Sequence, residues 1–504
     1  MKQISVISLI LFARLSNLNA QTLYDKVWVQ GTGKSYTTTF NGAVVTNAYL
    51  DTMFSPYFDG AANICDKNGN LILMTDGYNV YDKNANMLDN GDSIVPKEIM
   101  DKYQFSSYSQ SSIFLPFPNN KYYLITPTAS DTNIINNWGS SSTFAPFDLM
   151  LYSEIDMNAN GGQGKVVKKG ISFLDGQYIN TVGMMACKHG NGEDWWLFKQ
   201  GILSNTVYKF LVTKNGIYNY GTQYFPAPLF NQYCQNGQMM FSKDGTKFAS
   251  TVRGNFSVFV ADFDRCNGQL SNPKVYPVAL SPCYNPFDPT CFENSTEGLC
   301  FSPNNQFLYV ATIFNVKQLD LLDNDTATQW SHIRGLDTTW INCNTYSNMS
   351  LGPNNKIYIG HYSSLGDAMS VIDNPDVKGG GCNFCALCCR FPSEGSSNPP
   401  CLPNYHLGAA PLGGTCWPVG IEEQKKSERQ LYISPNPASS FIQIEYITPN
   451  KNKYIKYELF NALGQVEMQG QIRTNMKNKV SIDNLPNGVY YLKCDGIINK
   501  IIKY

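Results

Sequence analysis

Gly298-Leu299-Cys300-Phe301-Ser302-Pro303-Asn304-Asn305-Gln306-Phe307-Leu308-Tyr309-Val310-Ala311-Thr312 reads as a strand, a tight turn and a second strand. Proline presets φ for the turn, and asparagine tolerates the left-handed conformation the turn needs. Alternation with period two puts Phe307, Tyr309 and Ala311 on one face of the second strand.

The unit recurs around Ile64, Phe114, Cys187, Phe241, Phe301 and Leu351, at steps of 50, 73, 54, 60 and 50 residues. Its turns are Asp66-Lys67-Asn68-Gly69-Asn70, Pro118-Asn119-Asn120, a looser His189-Gly190-Asn191-Gly192, Lys243-Asp244-Gly245, Pro303-Asn304-Asn305 and Pro353-Asn354-Asn355. In several copies a further strand ends in aspartate, at Asp156, Asp262 and Asp373. A repeat of roughly 40–50 residues with four strands is the signature of a propeller blade. Six hairpins predict an all-β chain built on a six- or seven-bladed β-propeller, its last blade closed by the first strand after the N-terminus. The longer steps are read as loop insertions.

The chain has 504 residues, of which 15% are charged, with a net charge of −1. No basic run is long enough to track a phosphate backbone, which argues against nucleic acid. Residues 1–20 read as an export signal: Lys2, an apolar run from Ile4 to Ala13, and Leu18-Asn19-Ala20 before Gln21, with cleavage expected between Ala20 and Gln21. No later run reaches the roughly 18 apolar residues of a spanning helix.

An exported chain with 15 cysteines is expected to use them as disulfides. Cys382, Cys385, Cys388 and Cys389, with Cys401 and Cys416 nearby, have spacings that a zinc or iron–sulfur site could use. No Cys-Pro follows at the ferredoxin distance and no histidine lies within the cluster, so disulfides are favoured, with the pairing open. Cys283 and Cys291 bracket a proline-rich loop and are a further candidate pair.

The charged run Ile421-Glu422-Glu423-Gln424-Lys425-Lys426-Ser427-Glu428-Arg429-Gln430 interrupts the strand pattern and reads as a solvated linker. The resulting division is a signal over 1–20, a propeller over 21–420, a linker over 421–430 and a terminal domain over 431–504. Within the propeller, Gly69–Leu73 with Asp76–Tyr81, Ser109–Ser112, Tyr122-Tyr123, Tyr152–Met157, Asn191–Trp196 and Pro403-Asn404-Tyr405 resemble the propeller modules of surface and gliding-associated proteins of Bacteroidetes-type bacteria. That resemblance spans about residues 27–410 and implies a cell-surface position, with no agreed chemistry.

The tail carries a more specific likeness. Four blocks, Leu431–Ser440, Tyr457–Val466, Ile482–Leu492 and Lys500–Tyr504, resemble in order the type A C-terminal sorting domain of the type IX secretion system. Its motif residues are Pro435, Asn436, Pro437, Gly464, Gln465, Asp483, Leu485, Gly488, Tyr490, Lys500 and Lys503. Alternating strands punctuated by turns fit a small Ig-like β-sandwich. The resemblance implies recognition by an outer-membrane translocon and removal by a sortase-like peptidase.

The sequence nominates no catalytic residue, metal site or cofactor. Asp156-Met157-Asn158-Ala159-Asn160-Gly161 begins like a calcium loop, but Val167 stands where the bidentate glutamate belongs, so a polar turn is the better reading. The four histidines, His189, His332, His361 and His406, lack a nucleophile signature around them, and the first and third are expected in turns or at a rim. The aromatic content is read mainly as core packing, with one of Trp195 and Trp196 inside and the other open to solvent. The chain thus reads as an exported surface propeller acting as a binding or adhesion module for a protein or glycan. A propeller-type glycan lyase or hydrolase and a structural part of a surface assembly are the alternatives.

Overall fold

The computed structural model describes residues 23–31, 35–50, 61–102, 110–137, 147–201, 205–225, 237–252, 257–278, 296–335, 345–361, 367–392, 398–410, 416, 430–448, 453–495 and 497–504. The expected signal, Cys283, Cys291 and linker residues 421–429 lie outside them. The chain divides into two units, Met1–Cys416 and Trp417–Tyr504. Among the described residues no helix is long and apolar enough to cross a membrane.

Each of the six predicted hairpins turns through a residue with positive φ: Gly69 (87°), Asn120 (55°), Gly192 (80°), Gly245 (71°), Asn305 (60°) and Asn355 (63°). Glycine and asparagine recur there because they tolerate that region. Side chains brace the turns. Ser302 Oγ, for example, accepts a hydrogen bond from Phe307 N at 2.9 Å.

The hairpins open six blades, each an antiparallel sheet whose strands follow chain order. The first is Ala62–Cys65, Leu71–Thr75 and Val80–Asp82. The fourth begins with Gly237–Phe241 and Lys247–Val252, the fifth with Thr296–Phe301 and Phe307–Thr312, and the sixth with Tyr346–Leu351 and Ile357–His361. The second and third share one strand of 24 residues, Lys165–Lys188. Lys165–Ile179 pairs with Phe147–Asp156 as the outer strand of the second blade. Beyond a register shift, Met184–Lys188 pairs with Trp195–Lys199 as the inner strand of the third.

Blade packing buries both faces of the inner strands. Leu299, Cys300, Leu308, Tyr309 and Val310 are all essentially inaccessible, and each large side chain so buried contributes about 1.5–3 kcal/mol. The same geometry corrects the expectation for the tryptophan pair: both are buried, at 0% and 1% exposure. They point to opposite faces, as a strand requires, but a blade lies against each face. Trp195 Nε1 donates to Pro116 O of the second blade, and Trp196 Nε1 donates to Arg265 O of the fourth.

A seventh, closing blade comes from the start of this unit. Val27–Gln30, Tyr36–Asn41 and Val44–Tyr49 form a three-stranded sheet. Trp28 and Phe40 pack edge-on against Tyr358 of the sixth blade, and Val29 meets Met74 of the first. Asn398–Ala410 carries no regular strand and pairs with no strand of this sheet; its contacts reach several blades. Ser350 Oγ donates to Pro400 O (2.6 Å), Leu402 packs on the Trp28 cluster, and Tyr405 Oη donates to Phe114 O (2.9 Å). The three N-terminal strands therefore close the ring between the sixth and first blades.

In the second unit, Gln430–Ser434, Phe441–Ile447 and Lys477–Ser481 form one sheet. Val466–Arg473, Tyr454–Asn461, Gly488–Cys494 and Ile497–Lys503 form the other. Ile442, Ile444, Tyr446, Leu459, Leu492 and Ile501 are among the residues of its own core.

Candidate functional site

Inner strands have one edge with no neighbouring strand, and buried amides there need partners. Two glutamines supply them. Gln238 Nε2 donates to Met349 O (2.6 Å), and its Oε1 accepts from Leu299 N (2.9 Å) and Met349 N (3.1 Å), tying the fourth, fifth and sixth blades. Gln110 Nε2 donates to Met239 O (2.7 Å) and its Oε1 accepts from Met239 N (2.8 Å).

Where Asn398–Ala410 passes the hairpin turns of the fourth and sixth blades, a cavity of about 300 Å³ opens. Met240, Phe301 and Leu402 give it an apolar wall, and the exposed Lys243 and Asn355 stand on its lining, joined by a 2.6 Å hydrogen bond. Asp25 and Trp28, from the start of the closing blade, supply a polar wall with His406. His406 Nε2 lies 2.9 Å from Asp25 Oδ2. The backbone that carries it is also held. His406 N donates to Asn404 Oδ1, Asn404 Nδ2 donates to Lys243 O, and Tyr405 is buried between them. Burial holds the Tyr405 phenol well above its ordinary pKa.

Asp25 Oδ1 and Trp28 Nε1 are buried with no hydrogen-bond partner among the described residues. Asp25 is 9% exposed and Trp28 1%. The arrangement offers a hydrogen-bond acceptor and a donor beside an apolar surface. Among the described residues Asp25 is the one carboxylate lining the cavity.

Three of the nominated cysteines, Cys385, Cys388 and Cys416, are in disulfides, and Cys382, Cys389 and Cys401 are not. Cys385 is joined to Cys388, and Cys416 to Cys266, a partner the spacing did not suggest. Cys382 and Cys389 are buried thiols, each packed inside a hydrophobic cluster rather than facing another cysteine. Cys401 Sγ accepts from Gln238 Nε2 at 3.3 Å. Burial pushes the Cys65 and Cys187 thiols up to about 12, which leaves them protonated and unreactive.

His189 and His361 are buried rather than at a rim, at 8% and 3% exposure. His189 Nε2 lies 3.1 Å from Cys266 O, and His361 Nε2 lies 3.0 Å from Ser370 Oγ. The stretch from Asp156 is a turn in which Asp156 Oδ1 accepts from Asn158 N. Among the described residues no three histidine, cysteine or acidic side chains converge as a metal site would require.

The sorting motif residues cluster at turns and along the last strand. Asn436 Nδ2 donates to Lys500 O and its Oδ1 accepts from Ile502 N, so the first and last blocks of the tail lie side by side. Gly464 and Gln465 close the turn after Asn461, which accepts from Gln465 N. Asp483 Oδ2 accepts from Ser481 Oγ, and Leu485 sits in the core. Tyr490, two residues into the strand that opens at Gly488, donates to Pro486 O. Lys503 is in the final strand.

No curated protein matches the chain. Among solved structures it is similar to a periplasmic gluconolactonase, PpgL, of Pseudomonas aeruginosa (11% identity, 90% of this chain and 99% of that one, TM-score 0.36). It is also similar to AztD of Citrobacter koseri (11%, 74% and 86%, 0.35) and to the Dos1 propeller (13%, 65% and 72%, 0.35). The tail gives a family match: residues 432–503 fit the secretion system C-terminal sorting domain. The second unit is thus a type IX sorting domain, which marks the chain for export to the cell surface or the medium.

Proposed function

We propose that this chain is a cell-surface binding module: a signal at 1–20 starts export, the propeller over 21–420 carries the binding site, and the tail over 431–504 delivers it. The observation that carries the reading is the cavity beside Asn398–Ala410, where one carboxylate–imidazole pair faces an apolar wall within a closed ring of blades. The type IX machinery is the first partner, and a sortase-like peptidase that removes the tail is the second. A glycan hydrolase of the two-carboxylate kind would call for a second convergent acid beside Asp25.

Fractionation in a host with a type IX system tests this. The full chain is expected at the surface with the tail removed, and a chain ending at residue 420 is expected folded in the periplasm. A truncated chain that reaches the surface, or a surface form still ending at Tyr504, would overturn the delivery role. Turnover of a glycan polymer by the purified chain would replace binding with catalysis.

A further inference from the structure

We propose that the cavity takes one terminal pyranose residue of a glycan, its hydroxyls bridging Asp25 and Trp28 and its carbon face against Met240, Phe301 and Leu402. The inference deepens the binding reading above and rests on it. Its basis is the pair of unsatisfied polar atoms. Buried donors and acceptors in proteins are nearly always paired, and leaving one unpaired is costly. Asp25 Oδ1 and Trp28 Nε1 break that rule in the same cavity, three residues apart in sequence.

One asks for a donor and the other for an acceptor, and a hydroxyl group is both. The lining also includes Met240, Phe301 and Leu402, so the occupant needs one wet edge and one hydrocarbon face, as a pyranose has. The volume, about 300 Å³, stands at the lower end of small-molecule sites and suits one ring better than a polymer strand. Lys243 at the lining adds positive charge, which disfavours a cationic ligand. An extended peptide would require free strand-edge amides. The nearby Leu299 and Met349 N–H groups are already held by Gln238.

The test titrates the full-length chain with the methyl glycosides of glucose, galactose, mannose and N-acetylglucosamine, by calorimetry and tryptophan fluorescence. At least one is expected to bind saturably and to alter the fluorescence. Asp25→Asn and Trp28→Phe should each weaken it tenfold or more, with circular dichroism reporting the fold. Should Trp28→Phe unfold, Lys243→Trp places a large side chain at an exposed lining position outside the core and should weaken the same glycoside. Failure of all four to bind the folded chain, or binding undiminished in folded Asp25→Asn and Lys243→Trp, overturns the proposal. A chain that reaches the surface and captures a protein but no sugar defeats this inference alone. A chain that never reaches the surface defeats the delivery role, whatever it binds.

Discussion

The inner edge of each blade leaves amides that no further strand can satisfy, and single side chains take over that role. Gln238 of the fourth blade is fully buried and satisfies two N–H groups and one carbonyl in the fifth and sixth blades. Gln238→Leu keeps the volume but orphans both donors, at about 1–3 kcal/mol each. Urea unfolding should show a loss of about 3 kcal/mol or more; a loss below 1 would mean the amides find other partners. Lys199 is the opposite case, a fully buried amine whose hydrogen bond is to Val182 O at 2.9 Å. Burial lowers its pKa well below the ordinary 10.5, so between the folded and unfolded values the folded chain holds fewer protons than the unfolded one. The unfolded state then binds more protons, and stability from this residue rises with pH up to about 10.5. Lys199→Met should therefore stabilise the chain at pH 7, with a gain that shrinks toward pH 10.5; a gain independent of pH would show that packing alone is responsible. Such residues are hard to read in a sequence. Asp25 and His406 lie 381 positions apart, and no local spacing signals a pair assembled by ring closure.

At the scale of elements, the hairpins were legible because each is local: a strand, a left-handed turn residue and a second strand lie within about fifteen residues of sequence. Six were visible, and the seventh was expected only as one closing strand. Its three strands form a local meander, but Tyr36–Asn41 and Val44–Tyr49 are rich in threonine and asparagine and lack the apolar runs that marked the other hairpins. The turn alphabet also explains the calcium-like stretch from Asp156, since carboxylates that accept backbone N–H bonds serve turns and metals alike. The segment Asn398–Ala410 ends near a clasp. Arg265 donates to Gly408 O, Ala410 N donates to Gly190 O, and Cys266 is bonded to Cys416 across 150 residues. Cross-links over long loops typically contribute about 2–4 kcal/mol. The double variant Cys266→Ser, Cys416→Ser should lower stability by that order and expose Asn398–Ala410 to proteolysis before any hairpin. Cleavage starting instead within a blade would mean the seam is held without the clasp.

At the scale of the whole molecule, two hydrophobic cores imply two folding events. The tail core, which includes Ile442, Ile444, Tyr446, Leu459, Leu492 and Ile501, draws only on residues of the second unit. The propeller blades bury their faces against neighbouring blades, so that unit gains stability only as a closed ring. A domain of the tail's size buries a smaller fraction of its surface and is correspondingly less stable. Calorimetry of the full chain should resolve two transitions, the smaller assigned to the tail by repeating the scan on residues 430–504 alone. Gln238→Leu should move the larger transition and leave the smaller in place, because the altered contacts all lie in the first unit. Proteolysis confined to 417–429 should release two pieces that melt as they did when joined. A single transition that shifts as a whole with Gln238→Leu would show that the two units fold as one cooperative body, and that the first unit would lose stability without the tail.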